Sequence, residues 1–184
     1  MGAPKGWKKF NKINMYVIDK DITKIKILKE NGEYIGETMV DTEDVSKLMK
    51  RKWVIDGYGY ITSTDSINSR VRLNRFILDA QRGEYVDHIN HGITDNRKCN
   101  LRKCTNAQNG RNRKLSCNNK SGVSGVYWSE EKQRWKSQIH VNYKKIHLGN
   151  FVNKEDAIKA RLKAEDDYFG DFSYRRSLEI SSLQ

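Results

Sequence analysis

Short runs of β-branched and aromatic residues, separated by turn residues, punctuate the first third of the chain. Tyr16-Val17-Ile18 and Ile25-Lys26-Ile27-Leu28 read as strands. Asn31-Gly32 is a turn signal after the second, and Glu33 to Val40 is the return strand. Asp41 or Thr42 is placed to cap a short helix running through Met49, with Glu43 and Asp44 near its positive end. Trp53-Val54-Ile55 and Tyr60-Ile61-Thr62 flank Gly57 and Gly59 and predict a hairpin. The first ten residues, with Pro4, Lys5, Lys8 and Lys9, read as a loose basic arm. Residues 1–69 thus form a small α+β unit that shows no catalytic signature.

From Arg70 the pattern changes. Leu73, Phe76, Ile77 and Ala80 fall at helical spacing, with Gly83 as the stop. Tyr85 to Asn90 is a strand, followed by a loop through Gly92 and Asp95-Asn96-Arg97. Asn100 to Cys104 is a second strand, and Thr105 can cap a helix carrying Asn106, Gln108 and Asn109. Arg111 to Gly122 is basic, rich in Asn and Ser, and reads as a linker. Three short strands follow, near Val126, Ile139 and Leu148. A last helix runs from about Lys154 to Phe169, capped by Asn153 with Asp156 three residues on and closed by Gly170. In these strands Ile139, Val141, Ile146 and Leu148 share an apolar face, covered by Ala157, Ile158, Leu162, Ala164 and Tyr168 of the helix. Gln138, His140, Lys145 and His147 lie on the opposite face. Such a face can reach base edges or phosphates, and is equally the polar outside of a generic sheet. The fold class is α+β.

Composition narrows the function. The 184 residues are 36% hydrophobic and 32% charged, thin material for one large core and suited to several small modules. No stretch approaches the roughly 20 apolar residues of a membrane span, and no apolar leader is visible, so a cytoplasmic protein with no membrane partner is expected. Three scattered cysteines, Cys99, Cys104 and Cys117, argue against a disulfide framework. They contain no CxxC pair, so a structural zinc shared with His91 or His140 is poorly supported. The net charge of +12 is local: Arg97 to Lys145 holds thirteen Lys and Arg against only Glu130 and Glu131, an excess of eleven. A patch this concentrated points to a polyanion, most simply nucleic acid. The sheet lacks the paired exposed aromatics of base-stacking RNA modules, which favours duplex DNA.

One segment carries chemistry. Phosphodiester hydrolysis needs a base for water, charge neutralisation at phosphate and stabilisation of the leaving 3′ oxygen. His88 suits the base, since its unperturbed pKa lies near neutrality. Asp87, adjacent on the strand, can hold a divalent metal, and Asn109 can give it a second oxygen. An oxygen pair favours Mg²⁺ (or Mn²⁺) over Zn²⁺. Taken alone, an Asp-His pair is better explained as an ordinary strand end, and Asn109 as a surface residue. The wider pattern runs Val86-Asp87-His88-Ile89-Asn90, Asp95-Asn96-Arg97, Asn100-Leu101-Arg102, Thr105, Gln108-Asn109. It resembles the HNH nuclease family, in particular homing endonucleases of phage and intron type.

That resemblance implies a ββα-metal core over residues 70–113, with His88 as general base and Asp87 and Asn109 as metal ligands. It implies that Asn100 is the central asparagine tying the loop to the motif, that Asn96 supports the loop, and that Arg102 contacts phosphate. The last family position is often His and here is Asn109, an HNN variant; Leu73-Asn74-Arg75 replaces the frequent Leu-His-Arg. Ser124-Gly125-Val126-Tyr127-Trp128, Trp135 to Ile139, and His147-Leu148-Gly149-Asn150-Phe151, with the helix after them, resemble the plant apetala/ethylene-response-factor DNA-binding domain over residues 122–176. This implies a three-stranded sheet docked in the major groove, with Ser124, Tyr127, Gln138, His140, Lys145 and His147 facing DNA. Arg97, and Arg111, Arg113 and Lys114 at the basic linker of residues 114–121, complete the expected DNA contacts. The expected activity is a site-directed DNA endonuclease, a monomer on DNA that nicks one strand and leaves 5′-phosphate and 3′-hydroxyl ends. If phage- or intron-encoded, it would act in the cytoplasm of a bacterial host. The alternative is a non-catalytic DNA-binding regulator that keeps an HNH scaffold.

Overall fold

The computed structural model describes residues 7–11, 14–64, 70–112 and 115–175. It is mixed α and β, with four small antiparallel sheets and few helices. The chain divides into two compact units between Thr105 and Asn106.

The first unit opens with a meander of Trp7–Asn11 (β1), Asn14–Asp19 (β2), Ile22–Leu28 (β3) and Tyr34–Asp41 (β4), in sheet order β1-β2-β3-β4. The strand at residues 7–11 corrects the loose arm expected there; Pro4 and Lys5 lie outside the described residues. Two adjacent lysines hide its periodicity, and it forms by backbone pairing at a sheet edge, where lysine is common. One face of the meander buries Tyr16, Ile25, Ile27 and Val40 completely. A 3₁₀ turn at Thr42–Asp44 leads into the short helix Val45–Leu48 (α1). Asp41 precedes that turn without capping it: its carboxylate instead accepts the backbone N–H of Lys98 at 2.7 Å. Val54–Ile55 (β5), Ile61–Thr64 (β6) and Arg70–Arg72 (β7) form a second sheet, in the order β5-β6-β7.

The helix expected through Ala80 is only Leu73–Ile77 (α2). Asp79 sits in the left-handed region at φ 48°, and the Arg75 guanidinium gathers the carbonyls of Ala80, Gln81 and Glu84. Those side-chain bonds satisfy backbone groups that a longer helix would have paired. Tyr85–His88 (β8) and Leu101–Cys104 (β9) then pair antiparallel, with Asp87 opposite Arg102 and His88 opposite Leu101. Leu73, Ile77 and Leu101 belong to the same buried cluster as Tyr16, Ile25, Val40, Leu48 and Trp53. The β8–β9 hairpin therefore shares one core with the N-terminal meander. Trp53 is that core's largest side chain, and its indole N–H reaches the Leu48 carbonyl at 2.9 Å. The buried Asn14 amide donates to the Trp53 carbonyl and accepts its N–H, each at 2.8 Å.

The second unit contains Asn106–Arg111 (α3), the antiparallel sheet Val126–Ser129 (β10), Arg134–Val141 (β11) and Lys144–Phe151 (β12), and Lys154–Tyr168 (α4). Ile139 is fully buried, packed with Val141, Ile146 and Leu148 against Ala164 and Phe169. The expected apolar face is thus present, with two corrections in α4. Tyr168 is exposed, and the inner positions include a buried ion pair, Arg161 to Glu165 at 2.9 Å. Arg161 also donates to the Gln138 carbonyl at 2.8 Å. A Cβ on Gly125 would meet that carbonyl oxygen at 2.3 Å, so only glycine fits there. Asn153 precedes α4 but its side chain donates to Asp156 rather than capping the backbone. Among the described residues no helix is long and apolar enough to cross a membrane.

Two outcomes follow from this packing. Asn14→Ala strands a buried N–H and a buried C=O of Trp53, and is expected to cost about 2–5 kcal/mol in urea unfolding. Asn142 (φ 49°) and Tyr143 (φ 64°) form the two-residue β11–β12 turn, with Tyr143 99% exposed at a position that glycine favours. Tyr143→Gly is expected to add about 0.5–1 kcal/mol and to raise the thermal midpoint.

Candidate active site

The β8–β9 hairpin places Asp87 and His88 at the end of one short strand and Arg102 on the other, all three largely buried. Between the strands, residues 89–100 hold only a 3₁₀ turn at Lys98–Asn100, so backbone groups left over need side-chain partners. Asn100 is fully buried and supplies two. Its amide nitrogen donates to the Asp95 carbonyl at 2.8 Å, and its oxygen accepts the Asn90 N–H at 2.9 Å. Asn90 repeats the device, accepting the Gly92 N–H at 2.7 Å. Asn100 thus bonds two backbone groups of the loop, at Asn90 and Asp95.

The loop is also held from the N-terminal sheet. Met39 of β4 pairs with the loop through Met39 N–H to Thr94 carbonyl at 2.9 Å and Asn96 N–H to Met39 carbonyl at 2.8 Å. The Thr38 hydroxyl donates to the Thr94 carbonyl at 2.7 Å and accepts from the Asn96 amide nitrogen at 2.9 Å. That nitrogen also faces the Ile93 carbonyl at 3.2 Å, and the Asn96 oxygen lies 3.1 Å from His88 Nε2. Thr38 is a site residue that sequence reasoning missed. Nothing near it in sequence signals the contact, which spans 58 positions.

Burial pushes the His88 imidazole below its ordinary pKa, and this outweighs the raising effects of Asn96, Asp87 and Asp95. The ring lies 6.4 Å from that of Tyr60, on which the Arg72 guanidinium stacks at 4.0 Å. Asp95 would be raised by its burial, but the Arg97 pair holds it below the usual carboxylate range. Asp87 Oδ2 accepts Arg102 Nη2 at 2.9 Å and Nε at 3.1 Å.

The expected cations meet varied fates. Arg97 is committed to Asp95 by two bonds of 2.8 and 2.7 Å, and Arg102 to Asp87. Asn109 lies on α3, in the second unit, where Arg111 donates to the Tyr168 carbonyl at 3.3 Å and stacks on Phe169 at 4.8 Å. Arg113 and Lys114 lie outside the described residues. On the sheet, Gln138 pairs across to His147 and His140 to Lys145; Ser124, Tyr127, His140, Lys145 and His147 are exposed. The Tyr127 hydroxyl reaches Gln138 at 3.3 Å. A cavity of about 900 Å³ in this unit has Arg111, Arg161, Glu165 and Phe169 among its walls. Three arginines line it and each is bonded within this unit: Arg111 to the Tyr168 carbonyl, Arg161 to Glu165, and Arg175 to Asp166.

Among the described residues no three His, Cys, Asp or Glu come together as a metal cluster. Cys104 is buried, which raises its thiol to about 11 and keeps it protonated. Asp87 offers carboxylate oxygens and Asn109 an amide oxygen, the donor types that suit a hard divalent cation; Asp87 is bonded to Arg102, and Asn109 belongs to the second unit.

The chain is 28% identical over 137 residues to a protein of Acanthamoeba polyphaga mimivirus named Uncharacterized HNH endonuclease L560, covering 71% of this chain and 70% of that one. It is 33% identical over 58 residues to Protein 3.8 of Escherichia phage T7, covering 32% of this chain and 48% of that protein. No family model matches the chain. No solved structure matches it.

The depressed His88 pKa has a consequence for stability. The unfolded chain takes up a proton near the ordinary value of 6.5 that the folded state resists. The contribution is complete above that value and is lost as pH falls through it toward the lower folded pKa. Between about pH 7.5 and pH 5.5, urea melts should therefore show wild type losing stability relative to His88→Asn.

Proposed function

We propose that the chain is an HNH-type DNA endonuclease, with His88 as the general base for phosphodiester hydrolysis. The mimivirus relative named an HNH endonuclease supports the nuclease class. The observation that carries the site is a buried His88 held beside Asp87, at the end of a hairpin whose loop is tied by Asn100. His88 takes the proton from the attacking water. Asp87 and Asn109 would hold Mg²⁺ (or Mn²⁺), which when bound neutralises phosphate charge and stabilises the leaving oxygen. Arg102 orients the Asp87 carboxylate, and Asn100 and Asn96 hold the loop that carries the site. The products are a 5′-phosphate and a 3′-hydroxyl, and one site per chain makes the event a nick by a monomer.

In this reading residues 70–113 act as the nuclease core, and residues 114–121 track the DNA backbone. Residues 122–176 dock as an apetala-type sheet in the major groove. His140, Lys145 and His147, exposed with Ser124 and Tyr127, give that sheet its donors. One observation favours the alternative of a non-catalytic DNA-binding regulator: Arg102 already neutralises the carboxylate that would hold the metal.

Nicking of supercoiled plasmid and of the source genome, with Mg²⁺ or Mn²⁺ and with EDTA, separates the two. Metal-dependent nicking reduced at least about 100-fold in His88→Ala is the expected result. Tight duplex binding with no nicking on either substrate would establish the regulator.

A further inference from the structure

The hydrogen bonds between β4 and the hairpin loop have a direction. The Thr38 hydroxyl has one proton, and the Thr94 carbonyl, which can only accept, takes it at 2.7 Å. Toward Asn96, Thr38 is therefore an acceptor. The Asn96 group facing Thr38 at 2.9 Å and the Ile93 carbonyl at 3.2 Å must be the NH₂ end. Turning the amide over would set its oxygen against the Ile93 carbonyl and the Thr38 lone pair, two repulsions in a buried site. The Asn96 oxygen is thereby fixed toward His88 Nε2 at 3.1 Å, and an oxygen there requires a proton on Nε2.

We propose that the N-terminal sheet sets the tautomer of the site histidine: Thr38 and Asn96 are positioning residues that hold the neutral His88 ring with its proton on Nε2 and its lone pair on Nδ1. The backbone carbonyls of Thr94 and Ile93, both in the loop, are the origin of the polarity, and Thr38 of β4 passes that of Thr94 on to Asn96. The tautomer stands on these bonds alone. Its catalytic meaning, that Nδ1 is the nitrogen that takes the proton from water, rests on the nuclease reading given above. It gives the N-terminal third a role in the chemistry that neither DNA footprint nor core packing requires.

The test is ¹⁵N NMR of ring-labelled histidine in the full-length protein, at a pH where the imidazoles are neutral, with His88→Gln to assign the signal. Wild type is expected to show one His88 tautomer, protonated at Nε2. Thr38→Val removes the acceptor and is expected to give a mixture of tautomers, with Thr38→Ser restoring the single form and Thr38→Ala as a smaller lesion should the valine variant fail to fold. A wild-type His88 protonated at Nδ1 or already mixed would overturn the proposal. So would a folded Thr38→Val or Thr38→Ala spectrum matching wild type. In nicking assays the tautomer-mixed variant should lose kcat in proportion to the tautomer lost, about two-fold for an even mixture, with DNA affinity unchanged; an unchanged kcat would overturn the catalytic half. A correct tautomer in a wild-type protein that never nicks DNA would leave the relay standing and remove the nuclease reading.

Discussion

A loop that crosses between two four-residue strands brings in more backbone donors and acceptors than the hairpin can pair. Burying those groups unpaired would cost several kcal/mol in all. The loop between β8 and β9 meets this constraint with short amides: Asn90 and Asn100 satisfy the turn from within, and Asn96 satisfies it toward β4. A carboxylate in these places would accept but not donate, and a hydrophobic residue would do neither. The placement of Asp87 and His88 depends on that loop, because both stand where the strand enters it.

The same constraint explains why the N-terminal third is not an appendage. β4 continues its hydrogen bonding through Met39 into residues 94–96, and the buried cluster around Trp53 includes Leu73, Ile77 and Leu101. Apolar burial and backbone pairing thus cross together from the meander to the hairpin. Neither half of this unit closes its core alone.

Charge is spent differently from its distribution along the chain. The excess between Arg97 and Lys145 would read as an open polyanion surface, yet Arg97 and Arg102 are paired to Asp95 and Asp87 inside the first unit. Arg161, beyond that stretch, is paired to Glu165 in the second unit. Each such pair removes a cation from any long-range field and uses it to orient a buried carboxylate. Of the basic and imidazole groups exposed on β11 and β12, His140, Lys145 and His147 share one sheet face, and Lys144, opposite Val141, lies on the other.

The local pattern alone determined most elements: the meander from Tyr16 to Val40, the short 42–49 helix, the hairpin around Gly57, the β8-loop-β9-helix order, and the final sheet and helix. These depend on alternation, turn residues and helical spacing, which neighbours in sequence supply. The residues themselves pointed to Asp87, His88 and Asn109, and the family resemblance added Asn96, Asn100 and Arg102; all but Asn109, which lies on α3 of the second unit, fall in one hairpin. Tertiary structure decided the rest. It made a strand of residues 7–11 by pairing them to β2, and it turned the carboxylate of Asp41 away from its helix to Lys98. It ended α2 early through the side chain of Arg75, and it put an ion pair rather than Tyr168 on the inner face of α4. Above all it brought Thr38 to Asn96. A hydroxyl on a strand has the same sequence signature whether its partner is water or a buried amide 58 residues away, and only the fold distinguishes them.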